Sequence, residues 1–257
     1  MVKKVGGALD QLLQRRALRR WTELADRVDH LDMVSLRTVR TNARALKRQI
    51  DRALHVAEGR LALPLIGSNA MHRPASADWW WRPDPWRGPM PTPGMASVQT
   101  KTVIREGTTV FHDCLVSELT LRQLRNTREE DLAPFALRMD VFRFDGSFLS
   151  LVVDLPPDAV EGLRLKHLIR LDTIIETEKP LEIFARLNVK HGPNIEQIVR
   201  ELPLTSKEVM VEFDLAYTKM NEKRVERMWV DLIFEGPEMN QITLHDVTFC
   251  RRPRADL

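Results

Sequence analysis

The chain has 257 residues, a length that allows one large or two small globular domains with a buried core. Its two cysteines, Cys114 and Cys250, are too few for a disulfide scaffold and lack metal-ligand spacing, which favours a reducing compartment. The charged N-terminus is not followed by the apolar core of a signal peptide, and no apolar run approaches the roughly 18–20 residues of a membrane span. We therefore expect a cytoplasmic protein, at most peripheral to the inner membrane.

Charge is distributed unevenly along the chain. Residues 1–60 contain 14 basic and 7 acidic side chains, a net charge of +7, whereas the remainder carries a net charge of −4. Such a basic segment can meet nucleic acid, an anionic membrane surface or an acidic protein, or it can fold back on the acidic remainder. No helix-turn-helix turn or zinc-ligand spacing is visible, so we expect no specific nucleic-acid contact.

Residues 1–62 are predicted to form a basic α-helical hairpin. The first helix is predicted from about Leu9 to Val28, where apolar residues recur at intervals of three and four. Asp32 or Ser35 is expected to cap the second helix, and Gly59 is expected to end it. The apolar positions of the second helix form a heptad seam: Leu36, Val39, Ala43, Leu46, Ile50, Ala53 and Ala57.

This seam has three interpretations. The two helices can pack on each other, the seam can mediate self-association, or it can dock on a larger protein partner. The candidate partner-binding residues are Leu36, Val39, Leu46 and Ile50.

Residues 63–99 are predicted to be a connector rich in proline and tryptophan. The stretch 78–94 holds four of the six tryptophans and five of the fifteen prolines, a density that neither a helix nor a central strand tolerates. Indoles beside charged groups can stack on a sugar ring, or they can fasten the connector to the following domain. The candidate ligand-binding residues are Trp79, Trp80, Trp81, Asp84, Trp86 and Arg87.

Residues 100–257 are predicted to form an antiparallel β-sandwich of the jelly-roll type. Two apolar runs, Phe135–Phe144 and Ser147–Leu155, flank Asp145-Gly146, a pair typical of a β-hairpin turn. Segments 100–105 and 114–124 could add strands. Six more strands alternate apolar and polar residues: about His167–Thr177, Leu181–Val189, Ile195–Glu201, Glu208–Leu215, Arg227–Phe234 and Ile242–Cys250.

The order of four motifs, Phe184–Asn188, Glu212–Leu215, Trp229–Glu235 and a closing Ile242–Pro253, resembles a galactose-binding-domain-like jelly roll. Glycan-binding modules and several assembly proteins share that fold. The whole chain also resembles an uncharacterised alphaproteobacterial family of unknown function. The resemblance implies an architecture, and it carries no catalytic or ligand-binding residue onto a position of this sequence.

Motifs for phosphate binding, nucleophilic catalysis and zinc binding are not found in the sequence. His112-Asp113 and His245-Asp246 could ligate a metal only if the fold joined them, so we expect no metal and no cofactor. Strand carboxylates and arginines could lie on a concave sheet face, where binding is favoured over hydrolysis. They are Asp140, Asp154, Asp214 and Asp231, with Arg143, Arg164, Arg170 and Arg186.

These patterns predict a non-enzymatic interaction protein that docks on a larger, membrane-associated or soluble assembly through its basic helical arm. The alternative is a carbohydrate-binding module, and a carbohydrate-active enzyme is the third hypothesis.

Overall fold

The computed structural model describes residues 7–66, 71, 73–128 and 131–254, with the backbone alone for 62–66. The chain forms two compact units, Met1–Arg52 and Ala53–Leu257. The limits of the three predicted domains stay predictions, and connector residues 67–70 and 72 lie outside the described residues.

The N-terminal unit is helical, as predicted. Helix α1 spans Ala8–Ala25, a short 3-10 turn spans Val28–His30, and helix α2 spans Met33–Ile66, beyond the limit of the unit. Asp32 caps α2, because its Oδ1 accepts hydrogen bonds from the backbone N–H groups of Val34 and Ser35 at 2.9 and 3.0 Å. A further hydrogen bond from the Ser35 hydroxyl helps to lower the pKa of Asp32.

The predicted end of α2 at Gly59 is wrong, since the helix continues to Ile66. Gly59 permits a close approach instead, because a Cβ atom there would lie 2.2 Å from the carbonyl oxygen of Arg87. A Cβ atom on Gly88 would in turn lie 2.4 Å from the carbonyl oxygen of His55. Two glycines therefore let the C-terminal part of α2 pack directly on the connector backbone.

The second unit is a sandwich of two antiparallel sheets. The first sheet has the order β11-β8-β13-β6-β5-β2, and β1 pairs with β13 beside this path. The second sheet has the order β10-β9-β12-β7-β4-β3. A short helix α3 (Asp84–Arg87) follows β1. The strands are β1 (Trp79–Trp81), β2 (Gly94–Met95), β3 (Thr102–Arg105), β4 (Thr108–His112), β5 (Leu119–Arg125), β6 (Phe135–Val141), β7 (Leu149–Asp154), β8 (His167–Thr177), β9 (Glu182–His191), β10 (Asn194–Glu201), β11 (Glu208–Asp214), β12 (Val225–Glu235) and β13 (Asn240–Pro253).

The last eight strands confirm the predicted jelly roll. In the first sheet they lie in the order β6-β13-β8-β11, and in the second in the order β7-β12-β9-β10. This is the strand order of two Greek keys wrapped into a double sheet. The core lies between the two sheets, where Leu171, Phe213, Phe234 and Phe249 are buried.

The predicted hairpin about Asp145-Gly146 is wrong. β6 pairs with β5 and β13, whereas β7 pairs with β4 and β12, so the Asp-Gly link passes from one sheet to the other. Asp113 holds this link by accepting hydrogen bonds from the N–H and hydroxyl of Ser147 at 2.7 and 2.6 Å. The apolar runs on both sides of the link fill the same interlayer core from opposite sheets.

The other strand predictions differ from the structure by few residues, and β8 has the predicted bounds. Three short strands, β1, β2 and β4, were not predicted. β1 and β2 lie in the connector, where proline density argues against a strand, and each is held by pairing with a long strand of the first sheet.

Candidate functional site

The connector is part of the β body. Trp79, Trp80 and Trp81 pair with Arg251, Cys250 and Phe249 of β13. The ring of Trp81 stacks on that of Phe249 with centroids 6.2 Å apart. Trp86 is fully buried, and its indole Nε1 donates a hydrogen bond to the Leu244 carbonyl at 2.8 Å.

The remaining candidate ligand residues of the connector lie in separate places. Trp80 is 43% exposed, and the guanidinium of Arg73 lies over its ring at 3.9 Å. Asp84 contacts His55 Nε2 at 3.7 Å and Arg87 Nη1 at 3.4 Å, and the interaction with His55 lowers its pKa.

The six candidate residues Trp79, Trp80, Trp81, Asp84, Trp86 and Arg87 therefore do not share one exposed surface. Trp79 and Trp86 face the interior, which leaves these two rings unavailable to a ligand outside. The contacts are those of the alternative interpretation, in which the indoles fasten the connector to the sandwich.

The candidate partner-binding residues of the arm lie along two shallow grooves of the N-terminal unit. Leu36 and Val39 line one groove, while Leu46 and Ile50 line the other together with Trp21. Leu46 and Ile50 are 40% and 48% exposed. Across the described part of residues 7–52 no side chain is fully buried. Partner binding by these residues stays a prediction.

A groove of about 380 Å³ opens on the outer face of the first sheet. β8, β11 and β13 form its floor, and Leu132 from the β5–β6 loop forms its rim. The register places Thr248, Asp172 and Met210 side by side across the three strands. Polar and apolar groups therefore alternate over a short distance: Arg170, Asp172, Glu208, Asp246 and Thr248 on one hand, and Leu132, Ile174 and Met210 on the other.

Three of the four charged side chains that line this groove, Arg170, Asp172 and Asp246, are paired. Arg170 Nε donates to Asp172 Oδ2 at 2.7 Å, and this hydrogen bond raises the pKa of Arg170. At the floor of the groove, Asp246 accepts from Arg82 Nε and Nη2 at 2.8 and 2.7 Å. Burial raises the pKa of Asp246, and the two hydrogen bonds from Arg82 oppose that rise. The groove is thus lined by carboxylate–guanidinium pairs in fixed positions.

A second groove of about 320 Å³ lies farther along the same sheet face. Glu176 is at its centre and accepts from Arg128 Nη2 at 2.9 Å and from a ring nitrogen of His245 at 3.2 Å. The bond from Arg128 lowers the pKa of Glu176 to about 2. The outer face of the first sheet therefore presents ion pairs in both grooves.

The row next to the first groove contains Trp80, Cys250, Arg170 and Glu212, which are directly paired across four strands. Directly paired residues of an antiparallel sheet point to the same face. Burial raises the pKa of Cys250 to about 11, so its thiol stays protonated and is a poor nucleophile.

Of the groove residues, sequence reasoning had singled out Arg170 and Asp246 and had missed Asp172, Met210 and Thr248. The signal was present in β8, where Arg170, Asp172 and Ile174 alternate with core residues. The four strand carboxylates are divided between the sheets, and each is paired with an arginine: Asp140 with Arg122, Asp154 with Arg227, Asp214 with Arg254 and Asp231 with Arg186.

The two His-Asp pairs serve different local roles. His112 Nε2 contacts the Val98 carbonyl at 2.8 Å, while His245 contacts Asn126 and Glu176. Within the described ranges, no group of three or more histidine, cysteine, aspartate or glutamate side chains is arranged to hold a metal ion. None of the described helices is both long enough and apolar enough to cross a membrane.

The family model described as "Family of unknown function (DUF6478)" matches residues 1–257. No curated protein matches the sequence. Among solved structures, the enzymatically active domain of Bacteriophage CBA120 tailspike protein 4 is 6% identical, with 55% of this chain and 19% of that chain covered and a TM-score of 0.39.

Two carbohydrate-binding modules are also similar in structure. The Family 11 Carbohydrate-Binding Module from Clostridium thermocellum, in complex with a β-1,3-1,4-mixed-linked tetrasaccharide, is 9% identical over 63% of this chain and 98% of that one, with a TM-score of 0.36. TmCBM61, in complex with β-1,4-galactotriose, is 15% identical over 57% of this chain and 88% of that one, with a TM-score of 0.32. At such low identities and TM-scores, these likenesses say nothing about what this chain binds.

Proposed function

The chain belongs to the DUF6478 family, whose function is unknown, and we propose that it is a non-catalytic glycan-binding protein. The ligand lies in the groove on the outer face of the first sheet. The observation that carries this proposal is the Arg170–Asp172 pair, held by a 2.7 Å hydrogen bond beside the exposed side chain of Met210.

A sugar ring has hydroxyls at its edge and apolar C–H groups on its faces. A guanidinium beside a carboxylate offers hydrogen-bond donors and acceptors in a fixed plane. Each of two neighbouring sugar hydroxyls can then accept a hydrogen bond from the guanidinium and donate one to the carboxylate. Met210 and Ile174 supply apolar contact for a ring face. Because Arg170 and Asp172 already orient each other, little conformational freedom is lost when the ligand binds.

The groove supports binding in preference to hydrolysis. A glycosidase needs one carboxyl that carries a proton and a second carboxylate facing it. Both oxygens of Asp172 accept hydrogen bonds from Arg170, and both oxygens of Asp246 accept hydrogen bonds from Arg82. Because a guanidinium engages both oxygens of each carboxyl, neither carboxyl is positioned to act as a general acid.

A glycan array followed by calorimetry tests the proposal. We expect the wild-type protein to bind a neutral oligosaccharide, and Arg170→Gln to weaken binding at least about tenfold, since a hydrogen bond to a charged group contributes about 1.5–3 kcal/mol. Arg227→Gln is the control, because Arg227 also pairs with an aspartate, Asp154, but on the second sheet and outside the groove. The absence of wild-type binding, or an equal loss in both variants, contradicts the proposal.

A second candidate function, docking on a larger assembly through the helical arm, is favoured by the exposure of the arm's apolar residues. Leu46 and Ile50 of the seam are 40% and 48% exposed. Leucine and isoleucine at such positions normally lie against another surface. We propose that the protein acts beside that assembly in the cytoplasm.

Size-exclusion chromatography of detergent-treated extracts tests the docking function. We expect the wild-type chain to elute in a complex larger than the isolated protein, and Leu46→Asp with Ile50→Asp to return it to the position of the isolated protein. The same double variant should keep the thermal midpoint of the β-sandwich, because neither side chain belongs to the second unit. An unchanged elution position of the double variant contradicts docking through the seam.

A further inference from the structure

Strand β10 forms an open edge of the second sheet. With 8 residues it is longer than the other strands at the ends of the two sheets, which are β11, β3 and β2. Among the described residues it pairs on one side only, with β9. Proteins often protect such an edge with proline or lysine, and β10 contains neither. The open side of β10 can therefore accept a further strand.

The backbone groups of β10 point alternately to β9 and to the open side. The N–H of Leu202, directly after the strand, donates to the carbonyl of Ile183 at 2.8 Å, in the register that continues the β9–β10 ladder. Hydrogen-bonded and non-hydrogen-bonded pairs alternate along an antiparallel ladder. The even-numbered residues of β10 therefore bond to β9. The odd-numbered residues direct their N–H and C=O groups away from it: Ile195, Gln197, Val199 and Glu201.

The side chains of β10 are arranged with opposite charges on either side of Ile198, which packs against the core. Glu196 and Arg200 lie two positions before and after it, so all three side chains point to the same face of the strand. On the other face, Ile195 and Val199 are 48% and 49% exposed. An antiparallel copy of the strand presents the same charges in reverse order, so that glutamate meets arginine on both sides of the centre.

We infer that β10 pairs with β10 of a second copy of this chain, antiparallel and about a two-fold axis at Ile198. In this register Glu196 of each copy lies opposite Arg200 of the other. Both occupy non-hydrogen-bonded positions, where opposite Cα atoms are about 4.5 Å apart and the side chains are close. The odd-numbered residues face one another and exchange backbone hydrogen bonds. The second sheets of the two copies thereby become one continuous sheet.

The charges select this register from the others that the backbone allows. A two-fold axis one residue to either side of Ile198 would also bring the free backbone groups together. In both cases Glu196 would face an uncharged residue instead of Arg200, whereas opposite charges directly across an antiparallel pair stabilise it. With the axis at Ile198, Ile195 of one copy and Val199 of the other are also diagonal neighbours on the outer face.

A second copy is favoured over a strand of another protein because the complementary order of charges is contained in β10 itself. The next longest edge strand, β11, does not have this property. Its charged side chains are all acidic, so pairing with its own copy would bring like charges together: Glu208, Glu212 and Asp214. The inference is independent of both proposed functions, since the glycan groove lies on the first sheet and the seam lies in the arm.

Sedimentation velocity of the full chain over about 1–100 µM tests the inference. We expect the wild-type chain to form a dimer and no larger species, since a two-fold interface closes on itself. Arg200→Glu and Glu196→Arg, each alone, should weaken the dimer at least about tenfold, because like charges then lie opposite each other twice. Arg143→Glu, at an exposed arginine outside β10, is the control and should leave the dimer unchanged.

Mixing the two charge variants tests the register itself. In a mixed dimer the Arg200→Glu chain and the Glu196→Arg chain again place opposite charges across the axis, so we expect the dimer to return when the two are combined. Its return would also show that both variants are folded. A mixture that stays monomeric overturns the inference, as does a wild-type chain that stays monomeric at every concentration and so leaves the edge to another protein.

Val199→Pro provides a test that does not depend on charge. The change removes an N–H that points away from β9, a position at which an edge strand tolerates proline. The thermal midpoint of one copy should therefore be kept while the dimer is lost. A Val199→Pro chain that is still a dimer would place the interface elsewhere and overturn the inference.

Discussion

Arg82 and Asp246 are 164 residues apart in the sequence and form a bidentate salt bridge, with distances of 2.8 and 2.7 Å between their paired atoms. Both side chains are buried, at 2% and 6% exposure. Arg82 follows strand β1 in the connector, and Asp246 lies in β13 at the floor of the candidate groove. The pair therefore connects the folding of the connector to the shape of the groove.

Arg82→Met should destabilise the protein by about 3–5 kcal/mol, because it leaves the buried carboxylate of Asp246 without its partner. The double variant Arg82→Met with Asp246→Val should recover most of that loss, since a pair of apolar side chains leaves no buried charge. Urea unfolding of both variants measures the difference. A double variant as unstable as the single one would show that the two residues do not act as a pair.

Gly59→Ala should destabilise the protein by about 1–3 kcal/mol through overpacking. In an unobstructed helix the same change should stabilise the protein by roughly 1 kcal/mol. The sign of the change in unfolding free energy therefore shows whether Gly59 is needed for the close approach. The reason is the distance of 2.2 Å between an added Cβ and the Arg87 carbonyl oxygen. Gly94→Ala is the control, because an added Cβ there would lie 3.8 Å from Arg122 Cγ, an ordinary van der Waals contact. Thermal unfolding compares the two variants.

Trp86→Ala should cost about 3–5 kcal/mol, as expected for a large aromatic side chain removed from a core. Its indole is fully buried and donates to Leu244. Trp80→Ala, at a ring that is 43% exposed, should cost less than about 1 kcal/mol. Similar unfolding free energies for the two variants would contradict the assignment of Trp86 as a structural anchor of the connector.

The Glu176 carboxyl should make stability depend on pH in the acidic range. The hydrogen bond from Arg128 lowers its pKa from 4.5 to about 2 in the folded protein. The folded state therefore favours the ionised form, so this stabilisation is fully present above the ordinary pKa and is lost as the pH falls towards 2.

Glu176→Gln should accordingly be less stable than wild type near neutral pH, by about 0–1 kcal/mol because the pair is partly exposed. The difference should shrink between pH 4.5 and 2. Arg128→Gln should reduce the same pH dependence. Thermal midpoints of both variants and the wild type, measured across this pH interval, check these expectations. If the difference between Glu176→Gln and wild type is constant with pH, Glu176 is not the source of the pH dependence.

Local patterns in the sequence determined the elements of this fold. Alternation in Leu171 to Ile175 and in Met228 to Phe234 specifies strands with one buried face, because the side chains of a strand alternate between its two sides. Apolar residues at intervals of three and four between Leu36 and Ile50 specify a helix, because residues so spaced lie on the same face of a helix. The N-cap at Asp32 could be predicted from the sequence, since an aspartate directly before a helix can accept hydrogen bonds from the free N–H groups of the first turn.

The pairing partner of each strand could not be predicted from these local patterns. Phe135–Val141 and Leu149–Asp154 have the pattern of a hairpin but enter different sheets, because the first pairs with β5 and β13 and the second with β4 and β12. Alternation defines which face of a strand is buried, and it contains no information about which strand lies beside it.

The site depended on such long-range pairing. Asp172, Met210 and Thr248 are far apart in the sequence and share one groove because β8, β11 and β13 are neighbours. Likewise, the tryptophans marked the connector, but only the pairing of β1 with β13 decided which rings face the core. Buried faces and periods are local properties that can be read from the residues alone, whereas the groove and the burial of the indoles depend on the order of the strands, which is a long-range property.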